Sequence, residues 1–468
     1  MSAYSLSRMP APDGSQPEHR AAPGLDRDLG SGAALASLAL IISAGALGLN
    51  SIAISRIEGA SGAGLIALAT QFIFLATLIA GAGLRTSIAH RVGAGLWSPR
   101  SAIRGALVGS VWLGLLGAVV GMGAYALLKD SALSEFSLPM AAALMAALPF
   151  ALAWWILPAV PLARELFERY VFLTGAGPVS VLVICPILGS IAGRSGAVIG
   201  FAAGWVVGGL ITVAWAIRYS RSPDASTGPE LRLRAAGGFG LRAWVNDLFQ
   251  LVNLRPDLFI LSAYYGTADT GVYAVTVSIT SLVWLVSQPL ASVVLPRAAG
   301  AASGRPGADT EGWATSQASA VRHSVIVSAA ASVAVIPLLA IAPLVWGPGF
   351  GRILTLGLIL IPGVALLGVG RVMVAAFTGR GAANQALVVG LVSFPLAFVA
   401  FLIVIPDHGS TGAAIVSCCT YVVASVLAAV LFFRSTGTPV AEALVPRSSD
   451  LRDYASLARR ALAARRLP

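Results

Sequence analysis

YYGTADTGVYAVT, residues 264–276, lies between two apolar runs and repeats the pattern of RIEGASGAGLIALA, residues 56–69. Gly266 and Gly271 are five apart, as are Gly59 and Gly64, and the two pairs are separated by 207 residues. A second match has nearly the same interval. GRSGAVI (193–199) and GSTGAAI (409–415) are 216 apart, and Val206-Val207 recurs as Val422-Val423 at that offset. Two independent matches at nearly equal offsets indicate one structural unit used twice. Each glycine stretch joins apolar runs, so the glycines read as turns between spans.

The rest of the composition sets the environment. Of 468 residues, 57% are hydrophobic and 11% charged, and mean hydropathy is +0.83. A soluble domain carries about 25% charged residues, so the chain reads as a polytopic membrane protein. The first 30 residues are rich in Pro, Ser and charge and lack an apolar signal core; they read as a disordered tail. Cys185, Cys418 and Cys419 lie in apolar runs and fit neither a metal motif nor a disulfide framework.

Spans are expected near 32–54, 63–83, 103–127, 138–160, 171–192 and 196–217, then near 241–264, 271–296, 321–346, 353–377, 383–405 and 411–433. A polar, arginine-rich gap separates the two sets. The fold class is therefore an all-α membrane protein with 12 transmembrane helices in two pseudo-symmetric six-helix lobes. Its parts are a tail (1–30), an N-lobe (31–217), a basic linker (218–240), a C-lobe (241–434) and a C-terminal tail (435–468). An even number of spans per copy gives both copies the same orientation, so their axis runs along the membrane normal.

Arginine placement orients the set. With the N-terminus inside, 25 of the 31 basic residues fall on inner segments and four on outer ones, Arg56, Lys129, Arg194 and Arg352. Arg255 and Arg371 fall inside spans. That asymmetry places both termini in the cytoplasm and makes the net charge of +11 a topology signal, not a nucleic-acid footprint. The tail 448–468 carries Leu451, Tyr454, Ala455, Ala458 and Leu462 on one helical stripe with arginines elsewhere, the pattern of a basic amphipathic helix on an anionic leaflet.

Several chemistries are missing. The single lysine is Lys129, so no phosphate-cradling Walker loop exists. No HExxH or GxSxG motif occurs, and the short outer loops carry few acids. The chain therefore reads as a non-enzyme without cofactor.

Polar residues inside the membrane concentrate in the seventh span. At about 100° per residue, with Asn246 at zero, Gln250 falls near about 40°, Asn253 near about −20° and Asp257 near about 20°. Asp247 borders this stripe. Lipid cannot face such a stripe cheaply, so it lines a cavity or a helix interface. Arg255 falls on the opposite side of a regular helix. Pro256 cannot donate to the carbonyl of Val252 and biases Arg255 away from helical angles, so a break there would turn Arg255 toward the cavity. Arg255 and Asp257 read either as a mutually neutralising pair or as an anion-binding arginine beside an ion-coupling carboxylate.

Three other arginines carry two readings each. Arg371 either snorkels to the headgroups or binds substrate. Arg85 either anchors the inner end of the second span or recruits phosphate to a basic vestibule. Arg56 either pairs locally with Glu58 or serves the outer mouth. Asn50 and Gln71 add polarity to the first half, and Asn50 is the counterpart of Asp257 at the 207-residue offset.

The run RPDLFILSAYYGTADTGVYAVTVSITSLVWLVSQPLASVVLPRAA resembles the seventh- and eighth-helix signature of bacterial polysaccharide flippases. These are O-antigen and exopolysaccharide repeat-unit transporters of the multidrug/oligosaccharidyl-lipid/polysaccharide exporter superfamily. The pattern is an aspartate, an apolar run, a glycine turn, G-x-Y-A and a late proline: Asp257, Gly266, Gly271-Val272-Tyr273-Ala274 and Pro296. The likeness extends over roughly 32–434, and SRIEGAS (55–61) departs from the family's usual small-Arg, Leu-Gly run.

The resemblance implies two lobes that alternate between inward- and outward-facing states. It implies a polyprenyl-diphosphate-linked oligosaccharide as cargo, whose lipid tail stays in the bilayer. Residue by residue, it carries over only to Asp257 and the glycine turns. The expected substrate-binding set is Arg85, Arg255, Arg371, Asn253 and Gln250, with Asp257 and Asp247 as candidates for proton or sodium coupling. Expected partners are the lipid-linked glycan, membrane lipids and polysaccharide polymerase machinery; no nucleic acid is expected, and the chain is expected to be a monomer in a bacterial inner membrane. The alternatives are a multidrug exporter of the same superfamily, the related lipid II flippases (which more often have fourteen helices), and a membrane-embedded polymerase or glycosyltransferase.

Overall fold

The computed structural model describes residues 25–226, 229, 255–288, 290, 291, 294, 298, 310–380, 382–447 and 450. Among them, every regular element is helical. The first half contains α1 (Leu25–Gly81), α2 (Leu84–Gly93), α3 (Pro99–Leu128), α4 (Leu138–Ile156), α5 (Ala159–Ala163) and α6 (Phe167–Ser220). The second contains α7 (Pro256–Thr280), α8 (Leu282–Leu285), α9 (Thr310–Trp346), α10 (Ile353–Gly379), α11 (Ala383–Thr436) and α12 (Val440–Leu444).

Eight of the described helical stretches are long and apolar enough to cross a membrane. Large apolar side chains stand exposed along them, including Trp112, Leu116 and Val119 on α3 and Val333 and Leu344 on α9. In water such surface would be a liability; in a bilayer it is the lipid-facing wall.

Four of the helices are broken inside. The breaks fall on Gly59 (φ 71°, ψ −164°) in α1, Gly193 (φ 60°, ψ −149°) in α6, Gly266 (φ 72°, ψ −175°) in α7 and Gly409 (φ 55°, ψ −140°) in α11. This backbone region is open essentially to glycine alone. These are the glycines that the repeated sequence stretches share. Gly59 and Gly266 match in conformation at the 207-residue offset, and Gly193 and Gly409 match at 216.

At each break the chain doubles back. In α6, a Cβ added to Gly196 would meet Leu188 O, one on Gly200 would meet Cys185 Cα, one on Gly204 Val181 Cα and one on Gly208 Gly177 Cα. The partners step backward as the glycines step forward, which defines an antiparallel hairpin. The seam explains GAVIGFAAGWVVG (196–208): glycine every fourth residue lets two backbones touch where lipid supplies no hydrophobic drive. In α7, sixteen residues of straight helix would separate Asp257 from Tyr273 by about 24 Å, yet their side chains are hydrogen-bonded.

Packing follows the two sequence halves. α1 lies along α6 and α4 along α6, with α3 on α4; α10 lies along α11, α9 on α10 and α7 on α11. The halves meet chiefly through α1 against α7, and to a lesser extent α9.

At the end of the second half that carries the C-terminal segment, Arg322 of α9 is buried and makes a two-pronged bond to Asp450, 2.6 Å from Nε and 2.9 Å from Nη2. Its Nη1 donates to the carbonyl of Glu442 in α12 at 2.8 Å, and Arg447 N donates to Asp450 Oδ2 at 2.8 Å. The Arg322 hydrogen bonds and the Arg447 amide hold the Asp450 carboxyl down at about 2, below an ordinary aspartate near about 3.9. A depressed carboxylate stabilises the fold above its unfolded pKa and loses that contribution as pH falls through the folded value. Amide exchange over residues 440–447, corrected for intrinsic rates, should therefore stay slow down to about pH 4 and rise toward about pH 2. Arg322→Gln should show fast exchange already at neutral pH.

Candidate functional site

α7 begins at Pro256. Arg255 has φ −144° and ψ 16°, outside the helical region, and Pro256 takes the first helical position. The chain before Arg255, through which the sequence expects the helix to continue to a break at Pro256, lies outside the described residues. Arg255 is half-buried. Asp257, one residue into the helix, is 1% exposed.

The Asp257 carboxylate is held from two sides. Oδ1 accepts from Leu258 N at 3.0 Å, and Oδ2 accepts from the Tyr273 hydroxyl at 2.6 Å. The Tyr273 oxygen lies 2.8 Å from Ser417 Oγ on α11. With Asp257 ionised, the single phenolic proton is committed to the carboxylate, so Ser417 donates in that second bond. The network ties both arms of α7 to α11. Tyr421, one turn beyond Ser417, is buried within electrostatic range of Asp257, Arg255 and Arg371. No cation lies within 4.0 Å of Asp257 among the described residues, so Arg255 and Asp257 do not form the direct ion pair that one sequence reading allows.

The first half lacks this chemistry at the matching positions. Asp257 and Tyr273 correspond to Asn50 and Ile66 at the 207-residue offset, and Ser417 to Phe201 at 216. Asn50 is buried against Cys185, with its Oδ1 unpartnered among the described residues. The ionisable centre belongs to one half only.

Arginines sit on tryptophans in both halves; besides Arg91, 5.1 Å over Trp97, two of them are sequence candidates. The Arg85 guanidinium lies 4.0 Å over the Trp155 ring, and that of Arg371 lies 4.1 Å over Trp284. Trp155 and Arg371 are 216 residues apart, the offset of the repeat, so the corresponding position holds the ring in one half and the cation in the other. Arg85 is the second residue of α2, which follows a turn through Ala82 and Gly83, both at positive φ. Arg371 is half-buried over its ring. Each stacked cation contributes about 0.5–2 kcal/mol.

The end carrying the predicted outer loops is sealed by a pseudo-symmetric crossing. A Cβ on Gly64 would stand 1.8 Å from Thr267 O, and one on Gly271 would stand 2.0 Å from Ala60 O. Residue 267 is the counterpart of 60, and 271 of 64. Each half presents the same patch to the other, the signature of a two-fold contact. Bonds between the halves ring this crossing. Arg56 donates to Val345 O at 2.7 Å and also to Leu344 O, capping the last turn of α9. Glu135 accepts from Thr267 N at 3.0 Å and from its hydroxyl at 2.7 Å. Ser262 donates to Ala132 O at 2.8 Å, and Trp346 to Ser51 Oγ at 3.2 Å. The expected local pair of Arg56 with Glu58 is not formed. Arg56 reaches across to α9, and Glu58 faces Arg194 at 4.0 Å.

Of the sequence candidates, Arg255, Asp257, Arg85 and Arg371 are placed as described, whereas Asn246, Asp247, Gln250 and Asn253 lie outside the described residues. Sequence reasoning missed Tyr273 and Ser417 as partners of Asp257. The usable signal was the turn itself: a fold-back centred near residue 265 brings 257 opposite 273. Trp155 and Trp284 carried no periodic signal.

No protein-family model matches the chain, and no curated protein sequence matches it. Solved structures do. An inward-facing multidrug resistance MATE family transporter of the MOP superfamily superposes with a TM-score of 0.68 at 17% identity, covering 87% of this chain and 98% of that one. The outward-facing conformation of a multidrug resistance MATE family transporter scores 0.61 at 17% identity, covering 86% and 95%. The lipid II flippase MurJ, in an inward closed conformation, scores 0.63 at 12% identity, covering 87% and 88%. At these identities the likeness establishes a shared fold.

Proposed function

We propose that the protein is a secondary transporter that flips a polyprenyl-diphosphate-linked oligosaccharide from the inner to the outer leaflet of a bacterial inner membrane. The observation that carries the transport reading is the pseudo-symmetric glycine crossing at Gly64 and Gly271. Two halves that touch through a small, self-matching patch of bare backbone can separate there as rigid bodies. Reading each glycine-broken helix as two spans turns eight into twelve, six per half, with both termini cytoplasmic. In this reading the lobes span 31–217 and 241–434.

The cargo reading rests on charge. Arg85 and Arg371 offer guanidinium forks, and Arg255 adds a third cation beside Asp257. Planar forks suit a diphosphate. Asp257 is the coupling group: a buried carboxylate whose bonds span both arms of α7 and α11 can gain or lose a proton or sodium ion as those arms shift. Asp247, Gln250 and Asn253 extend this polar surface in the proposal, and the complete cycle needs no cofactor.

A multidrug exporter is the second reading, and the likeness to MATE transporters supports it equally at the level of fold. The two readings separate in proteoliposomes. A flippase moves a fluorescent polyprenyl-diphosphate oligosaccharide between leaflets and ignores a cationic dye. Arg85→Ala and Arg371→Ala should each slow that movement about tenfold, the equivalent of about 1.4 kcal/mol. Dye efflux without lipid movement would replace the proposal with the exporter.

A further inference from the structure

Six arginines of the inner connections in the first half gather around the end of α6. Arg164, Arg169 and Arg218 line one cleft of about 550 Å³, together with Trp215, Tyr219 and the carboxylate of Asp224. Arg100, Arg104 and Arg221 line a second of about 460 Å³ with Ile103, Leu107 and Ser220, and no acid lines it. Both volumes fall in the range of small-molecule sites, about 300–1,000 Å³. None of the six arginines has a carboxylate within 4.0 Å among the described residues.

The second cleft is built, not merely charged. Arg100 is half-buried, and its Nε donates to Ser220 O at 2.7 Å, which fixes the fork between α3 and α6. Helix α3 then continues the site into the membrane. Arg100, Arg104, Leu107, Val111 and Leu115 fall on one stripe at helical spacing, and Val111 and Leu115 are half or more exposed.

A soluble anion would use the arginines and leave the stripe idle. A ligand with a phosphate head and apolar chains uses both. We infer that the cleft between α3 and α6 binds the phosphate headgroup of an anionic inner-leaflet lipid, with its chains along the α3 stripe. None of the residues lining this cleft belongs to the Asp257 network or to the Arg85–Trp155 and Arg371–Trp284 pairs. The words "inner leaflet" rest on the orientation proposed above; binding itself does not.

Native mass spectrometry of the detergent-purified chain tests this, with phosphatidylglycerol, phosphatidylcholine, a polyprenyl diphosphate and inorganic phosphate offered in turn. Phosphatidylglycerol should be retained, and phosphatidylcholine and inorganic phosphate should not. Arg104→Gln with Arg221→Gln should weaken phosphatidylglycerol retention about tenfold. Arg164→Gln with Arg169→Gln, in the neighbouring cleft, should leave it unchanged and controls for folding. Equal retention of the two phospholipids, or undiminished retention by the first double variant, would overturn the site. Retention of the polyprenyl diphosphate alone would assign the cleft to cargo, and retention of inorganic phosphate to a soluble anion, and either result also overturns it. Because the measurement needs neither transport nor a membrane side, its failure would leave the flippase reading standing.

Discussion

Gly271→Val should leave the chain folded and unable to close its outer end. A Cβ at this position stands 2.0 Å from Ala60 O and 2.7 Å from Gly64 N. Both neighbours are backbone, so no rotamer change relieves the clash. The halves must part, and the ring of bonds from Arg56, Glu135, Ser262 and Trp346 parts with them. Overpacking costs about 1–3 kcal/mol, and each lost bond adds about 0.5–1.5 kcal/mol. A total near 4 kcal/mol would shift the balance of open and closed states roughly a thousandfold. The transport rate should therefore fall by at least about a hundredfold. A cysteine placed at Ser61 should change from protected to labelled by a membrane-impermeant reagent on the outer side. Gly64→Val should do the same, since the contact is reciprocal. Gly48→Ala, on the same α1 with open space around its Cβ, should transport normally. Wild-type flipping in Gly271→Val would remove the crossing from the cycle.

Asp257→Asn should separate transport from its driving ion. The amide keeps the shape and can still accept from Tyr273, but its second polar atom is a donor facing Leu258 N, and it carries no titratable proton or charge. Loss of the coupling group should lower ion-driven flipping on the order of a hundredfold, the equivalent of about 2.7 kcal/mol. What remains should no longer respond to a pH or sodium gradient. Tyr273→Phe isolates the structural share. It strips the carboxylate of its shortest bond and Ser417 of its acceptor, at a cost of about 1–3 kcal/mol, while the ionisable group stays. The expected pattern is partial activity with gradient dependence kept in Tyr273→Phe and lost in Asp257→Asn. An Asp257→Asn protein with normal gradient dependence would place coupling elsewhere.

Much of this fold is legible in the sequence because its turns are chemically marked. A backbone at positive φ and extended ψ admits essentially glycine, so Gly59, Gly193, Gly266 and Gly409 announce their breaks and, by their offsets, the repeat. Asp257 is legible for the opposite reason: a charge in an apolar run is costly and rarely accidental. Its partners were hidden because helical periodicity describes neighbours along one helix. Tyr273 and Ser417 reach Asp257 only after α7 doubles back and α11 packs on it. The glycine seam of α6 was spelled at every fourth residue from Gly196, yet only its first glycine was read, as part of a turn. Arg56 shows the limit of proximity in sequence. Glu58 is two residues away, but two residues on a helix do not face each other, and the carbonyls ending α9 took the cation instead.

The most direct test of the central claim is the sidedness of lipid-linked intermediates in cells lacking this gene. The account predicts that a complete repeat unit, still joined to its polyprenyl diphosphate, accumulates on the cytoplasmic leaflet and that the intact gene restores its transfer. An unchanged distribution across the two leaflets, or the absence of the repeat unit itself, would contradict it.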